Sequence, residues 1–353
     1  MSKDRQSQGA GTAAFEVPHQ APAVEGRRTF SKRVLGTTAA LMAGGLMGPA
    51  SALAQAYPSK PLRMVVPFAP AGSTDIAARI VAQKMGELLG RPIVVDNRPG
   101  GGTVVGTRAV ATAEPDGYTL LYGTNTLAAN PTLRSNLPYD TMRDFQPVGM
   151  VARQPFVLVV HPSVPAETLQ QLVSYAKSRP GAINFGSAGT GTGNHLALEL
   201  FSILSGTELQ HVPYQGDGPM VTDLVAGRVQ MTITTIASLL SYVQSGQLRA
   251  LGVGDAEPVP QMPGVPPITK AGVPGYVVGG WNTMLVPART DAGIVAKLSE
   301  TLRQALADPG VIEALSKIGA VPAYEPPEAT SAYLNSEISR WGEVIRARNI
   351  RLD

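Results

Sequence analysis

Pro67-Phe68-Ala69-Pro70-Ala71-Gly72-Ser73-Thr74-Asp75 joins an apolar run, Leu62 to Val66, to a helical pattern that starts near Asp75. A strand that turns through glycine and hydroxyl residues into a helix aims backbone N–H groups outward, and the helix dipole behind them favours an anion. The chain repeats the device at Phe185-Gly186-Ser187-Ala188-Gly189-Thr190-Gly191-Thr192-Gly193-Asn194-His195, which precedes the apolar-periodic stretch Leu196 to Leu204. Two such turns, far apart in the chain, predict a ligand gripped from two sides. Short apolar runs alternate with amphipathic ones almost throughout, the pattern of an α/β protein whose crossover helices join parallel strands.

Strands are predicted at 62–68, 93–96, 119–122, 156–161, 183–185, 209–212, 229–232, 248–253 and 282–286. Helices are predicted at 75–89, 104–112, 166–178, 195–205, 219–226, 236–245, 291–307, 309–318 and 327–348. Asp75 and Thr290 or Asp291 are read as N-caps, Pro309 as a first-turn residue, and Gly90, Gly206, Gly227, Gly246 and Gly319 as stops. The Pro-rich segment 257–275 reads as a long surface connection. The chain is expected to leave its first lobe near Val151–Pro155 and to return near Trp281. Lobe 1 is then 57–155 plus 281–353, and lobe 2 is 156–280.

Residues 1–56 read as a leader and export signal. Arg27-Arg28-Thr29-Phe30-Ser31-Lys32-Arg33 is a basic block, 34–47 is uncharged, and Ala52-Leu53-Ala54 or Ala54-Gln55-Ala56 offers a small-x-small cleavage site. The arginine pair resembles a twin-arginine signal, with an ordinary secretory signal as the alternative. The whole chain carries 29 Lys/Arg against 26 Asp/Glu; residues 1–54 hold six of the former and three of the latter, which leaves 23 against 23. With no net charge and no basic stretch interleaved with aromatics, nucleic acid is excluded as an expected partner. There is no cysteine, so disulfides, thiolate metal sites and a cysteine nucleophile are excluded.

The order and spacing of several motifs resemble one family. Pro67 to Asp75, then Asp96-Asn97-Arg98-Pro99-Gly100-Gly101-Gly102 and Pro115-Asp116-Gly117-Tyr118-Thr119-Leu120-Leu121, are followed by Leu137-Pro138-Tyr139-Asp140 and Asp144-Phe145-Gln146-Pro147-Val148. Further on come His195-Leu196-Ala197-Leu198-Glu199-Leu200-Phe201, His211-Val212-Pro213-Tyr214 and the return Trp281 through Pro287. Together, over essentially all of 57–353, they resemble the Bug receptors of tripartite tricarboxylate transporters. The resemblance implies a two-lobed type II periplasmic binding protein, a Venus flytrap, that captures a small carboxylate and presents it to membrane permease subunits. A monomer with no cofactor and no metal is expected. The family usually has Gly-Gly where this chain has Ala71-Gly72, which implies a backbone less free to take positive φ at Ala71.

The expected ligand-binding set is Ala71, Gly72, Ser73, Thr74 and Asp75 from the first loop, Thr124 and Asn125 beyond a predicted strand, Ser187, Ala188, Gly189, Thr190, Thr192 and His195 from the second loop, and Asp217. A carboxylate facing an anion repels it, so Asp75 is expected to cap its helix or to accept from an amino or hydroxyl group of the ligand. Gly186 and Gly189 are read as leaving room for backbone to approach the ligand. His195 and Glu199 have the i,i+4 spacing of a metal pair but no third ligand nearby. No Gly-Lys-Ser/Thr follows the second loop, and Ser187 lacks a Gly-x-Ser-x-Gly setting, so phosphate-loop and serine-hydrolase readings fail. A hydrolase or isomerase on a similar scaffold would need an acid–base constellation that these loops do not supply. A sensor whose output is signalling would share the same sequence features as a transport receptor.

Overall fold

A computed structural model describes residues 57–352. The export-signal reading therefore lies outside the described residues. The element order is β1 (Leu62–Val66), α1 (Ser73–Leu89), β2 (Ile93–Asn97), α2 (Val104–Ala111), β3 (Thr119–Thr124), α3 (Thr126–Leu133), β4 (Phe145–Val160) and α4 (Leu169–Ser178). Then come β5 (Asn184–Ser187), α5 (Gly193–Ser205), β6 (Gln210–Pro213), α6 (Asp217–Val225), β7 (Met231–Thr235), α7 (Ile236–Gln244) and β8 (Arg249–Val253). The chain ends with β9 (Gly279–Pro287), α8 (Ala292–Leu306), α9 (Pro309–Lys317), β10 (Val321–Glu325) and α10 (Pro327–Ala347).

Two sheets share one strand. In the first, β2, β1 and β3 are parallel neighbours, and β9, β4 and β10 extend it antiparallel. In the second, β6, β5 and β7 are parallel, and β4 is inserted antiparallel between β7 and β8. The parallel sets are those expected from alternating strand and helix; the antiparallel centres arise because β4 and β9 run through both chain crossings. β1 is buried at four of its five positions, as a strand covered on both faces must be. α1 buries Ala77, Ala78, Val81, Ala82 and Met85 at helical spacing, and Gly90 at φ 67 stops it with a left-handed cap.

β4 corrects the reading of 151–155 as a connection. It is one strand of 16 residues: 145–155 pair with β9, and 156–160 pair with β7. The chain changes sheets inside this strand without leaving extended conformation. On the return, Gly254 N–H donates to Phe156 O and Val278 N–H to Gly254 O, each at 2.8 Å, tying the second crossing to the first. Two elements lay outside the sequence reading. One is α3, with Pro131 in its interior, and the other is the part-exposed strand β10. One apolar cluster serves the first sheet and another the second, while a third runs from Val65 through Phe185 and Trp281 to Trp341 on α10 and joins the two sides.

Candidate functional site

Five strands end in helices whose first turns meet at one place: β1 leads into α1, β3 into α3, β5 into α5, β6 into α6 and β7 into α7. Ligands of open α/β sheets lie beyond the carboxyl ends of such strands. Here those ends border a cleft of about 450 Å³, lined by Ser73 and Thr74 (α1), Asn125 and Thr126 (α3), Thr192 to Asn194 (α5), Asp217 (α6), and Thr235 and Ser238 (α7). Gln154, Phe156, Trp281 and Asn282 of the β4–β9 ribbon also line it, with Phe68 and Ile76 adding apolar surface. The first three or four N–H groups of a helix have no intrahelical acceptor, and this cleft faces the starts of five helices. No lysine or arginine among the described residues lines it.

Of the residues expected from sequence, Ser73, Thr74, Thr124, Asn125, Ala188, Thr192 and Asp217 line the cleft; Ala71, Gly72, Asp75, Ser187, Gly189, Thr190 and His195 do not. Asp75 is not an N-cap. The helix begins at Ser73 with Gly72 in the cap position, and Asp75 is buried beneath the first turn. Its carboxylate accepts from Ala71 N–H (2.9 Å), Arg79 Nε (3.0 Å) and Asn97 Nδ2 (2.9 Å). Burial opposes its charge, but the hydrogen bonds from Arg79, Asn97 and Ala71 outweigh burial and hold its pKa below the usual value. Asp75 thereby fixes the backbone of the first loop. Ala71 takes φ +68 despite its Cβ, so the alanine does not keep the loop from this conformation.

The second loop spends most of its donors on itself. Ala188 N–H goes to Asn194 Oδ1, Gly189 N–H to Ser187 Oγ, Gly191 N–H to His195 Nδ1 and Thr192 N–H to Gly189 O. The Thr192 hydroxyl is bonded to Gly189 O and Asn194 Oδ1. The loop is a self-satisfied knot that presents the start of α5, rather than a fan of free amides. Behind it, Ser187 Oγ and His211 Nε2 share a hydrogen bond at 2.7 Å, and His211 stacks on His195 with ring centres 3.9 Å apart. His195 is buried, with Nε2 3.5 Å from Glu199, and so supports the loop from beneath. Gly186 has a packing reason: a Cβ there would lie 2.7 Å from Met220 Cγ, in the interior behind β5. Gly189, at φ +136, has a conformational one.

Sequence reading passed over Asn194, Thr234, Thr235, Ser238, Gln154 and Asn282, all on the cleft wall. Thr234-Thr235 ahead of Ile236 carries the same strand-to-helix hydroxyl signature as Ser73-Thr74, and that signal was available. Gln154 and Asn282 are joined at 3.2 Å across the β4–β9 ribbon; they reach the cleft through strand register, which composition does not reveal. Asn125 clasps the ribbon's start: its Nδ2 donates to Gly279 O (3.1 Å), and its Oδ1 accepts from Trp281 N–H (3.0 Å). Trp281 is held from behind by Glu337, which accepts from its indole at 3.0 Å. Asp217 Oδ1 accepts from Asn194 Nδ2 at 3.2 Å and Thr234 Oγ1 at 3.3 Å. Burial raises its pKa, and the Thr234 hydrogen bond only partly offsets this. Among the described residues no group of three His, Asp or Glu side chains is placed to hold a metal.

The model of the tripartite tricarboxylate transporter family receptor matches residues 77–350. The chain belongs to this family. BugT of Bordetella pertussis (strain Tohama I) is 37% identical over 310 residues, 87% of this chain and 94% of BugT. A Rhodopseudomonas palustris protein solved with adipate is 35% identical with a TM-score of 0.72, covering 82% of this chain and 97% of that one. MatC of the same organism, solved with bound malate, is 31% identical with a TM-score of 0.68, covering 82% and 100%. The two-lobed α/β fold is thus that of the receptors of this family, which are periplasmic solute-binding proteins and not enzymes. The cleft lies at the carboxyl ends of strands from both sheets.

Proposed function

We propose that this chain is exported to the periplasm, acts there as a monomer, closes its two lobes on a small carboxylate and presents it to the membrane subunits of a tripartite tricarboxylate-type transporter. The observation that carries the reading is the convergence of five helix N-termini, two from one sheet and three from the other, on a cleft lined by hydroxyls and amides. Aligned dipoles and unpaired first-turn donors bind a carboxylate without a counter-charge. The adipate and malate held by two family members support a ligand of this kind. The lobes proposed are 57–155 with 281–353, and 156–280; the change of β4's partners at Phe156 supports that division. The basic block at 27–33 and the Ala-x-Ala sites near Ala54 support export. Thermal unfolding of the mature protein with a panel of mono- and dicarboxylates tests the reading. A true ligand at about one hundred times its Kd adds about 2.7 kcal/mol of stability, whereas no shift with any carboxylate would contradict it.

A further inference from the structure

Among the described residues, Asp217 is the only charged side chain lining the cleft. It is the first residue of α6, so it neutralises the positive end of that helix and leaves the other four helix starts to attract an anion. Asn194 and Thr234 both donate to Oδ1; Oδ2 has no hydrogen bond among the described residues. A dicarboxylate closed into this cleft would set one of its carboxylates against Asp217 with no cation to separate them. A carboxylate with a protonated nitrogen at its other pole meets both halves of the field: anion toward the helix starts, cation toward Oδ2.

We infer that Asp217 is the specificity-determining residue of this cleft and that it selects carboxylates bearing an ammonium group over dicarboxylates of the same length. The inference rests on the receptor reading above. An ammonium is favoured over a neutral hydroxyl because closure buries the Asp217 charge, and an ammonium offsets that charge where a hydroxyl does not. Burial of Asp217 also raises its pKa, the mark of a carboxyl group that has no cation of its own.

Calorimetric titration of the mature protein and of Asp217→Asn with matched probes tests it. The probes are dicarboxylates, α-amino monocarboxylates and ω-amino monocarboxylates of four to six carbons. The wild type is expected to bind an amino carboxylate more tightly than the dicarboxylate of equal length by about tenfold or more, and Asp217→Asn to lose or reverse that order. Asp217→Ser provides a second readout should the amide disturb the start of α6. A wild type that prefers the dicarboxylate, or an order unchanged in both variants, overturns the role of Asp217 and leaves the receptor reading intact. No binding by any probe to any of the three proteins overturns both.

Discussion

His211 lies behind the second loop, outside the cleft wall. Its ring shares a hydrogen bond with Ser187 at 2.7 Å and stacks on His195 with ring centres 3.9 Å apart and on Phe185 at 4.9 Å. Burial lowers its pKa first and the adjacent His195 ring second, against an opposing pull from Glu199, so it falls from its ordinary 6.5 to about 4. Between those values the unfolded chain binds a proton that the folded protein refuses, and stability therefore rises with pH through this window. The contribution is complete above about pH 6.5 and is lost as pH falls toward 4. Urea unfolding at the two ends of the window is expected to show a stability loss on acidification that His211→Phe reduces. The variant should start lower at neutral pH, because Ser187 loses its hydrogen bond to the ring. An identical pH slope in both proteins would remove His211 from this role. At the same scale, Ala71 marks a limit of composition: its left-handed backbone is secured by the Asp75 carboxylate four residues on, a contact that exists only once the helix has formed.

Among the elements, β4 and the return crossing carry the largest consequence for the site. Gly254 follows β8 where the returning backbone passes closest, and a Cβ on it would lie 2.1 Å from Val278 O. That oxygen is main chain and cannot rotate away. The same residue holds both crossings together through Phe156 O and Val278 N–H. Gly254→Ala is therefore expected to destabilise by about 1–3 kcal/mol or more, as overpacking does, and to weaken ligand binding because Phe156 lines the cleft. Gly186→Ala, which meets the flexible Met220 side chain, should cost less. Equal denaturation midpoints for Gly254→Ala and wild type would show that the crossing relaxes without penalty. The strand-to-helix junctions were legible because each couples an apolar run to hydroxyl or glycine residues and then to a 3.6-residue period. The first half of β4 was not, since Gln146-Pro147 and Arg153-Gln154-Pro155 resemble loop punctuation while the antiparallel partner that holds them, β9, lies far along the chain. α3 was hidden by Pro131, tolerated because Leu127 O, the carbonyl that Pro131 cannot serve, accepts from Thr141 Oγ1 at 2.9 Å and the helix packs on α10. The second loop's role as a closed knot depends on side-chain acceptors, Asn194 and His195, folding back on it; glycine content alone pointed to the opposite.

For the whole molecule, three links join the two sheets: the shared strand β4, the return through Gly254 to Gly279, and α10. α10 packs on α3, reaches α5 through Arg348 and Glu199 at 2.9 Å, and donates from Arg340 to Val277 O at 2.7 Å. A two-stranded ribbon can bend where its hydrogen-bond partners change, and β4 changes partners at Phe156, directly under the cleft. On the function proposed above, a ligand that touches helix starts from both sheets makes all of its contacts only when they approach, which would shift the population toward the compact form. Small-angle scattering is expected to show compaction at saturating carboxylate and none with the amide analogue. The same geometry fixes the salt response. With no lysine or arginine of the described residues on the cleft wall, attraction is expected to come from short-range donors and dipoles buried on closure. Raising salt from about 0.05 to 0.5 M shortens the Debye length to a few ångströms but screens such contacts little. Affinity should then change by less than about threefold across that range. Dimensions that stay fixed at saturation would rule out closure on this ribbon, and a collapse of affinity with salt would mean that a basic side chain outside the cleft wall, such as Arg79 or Arg153, swings in to hold the ligand.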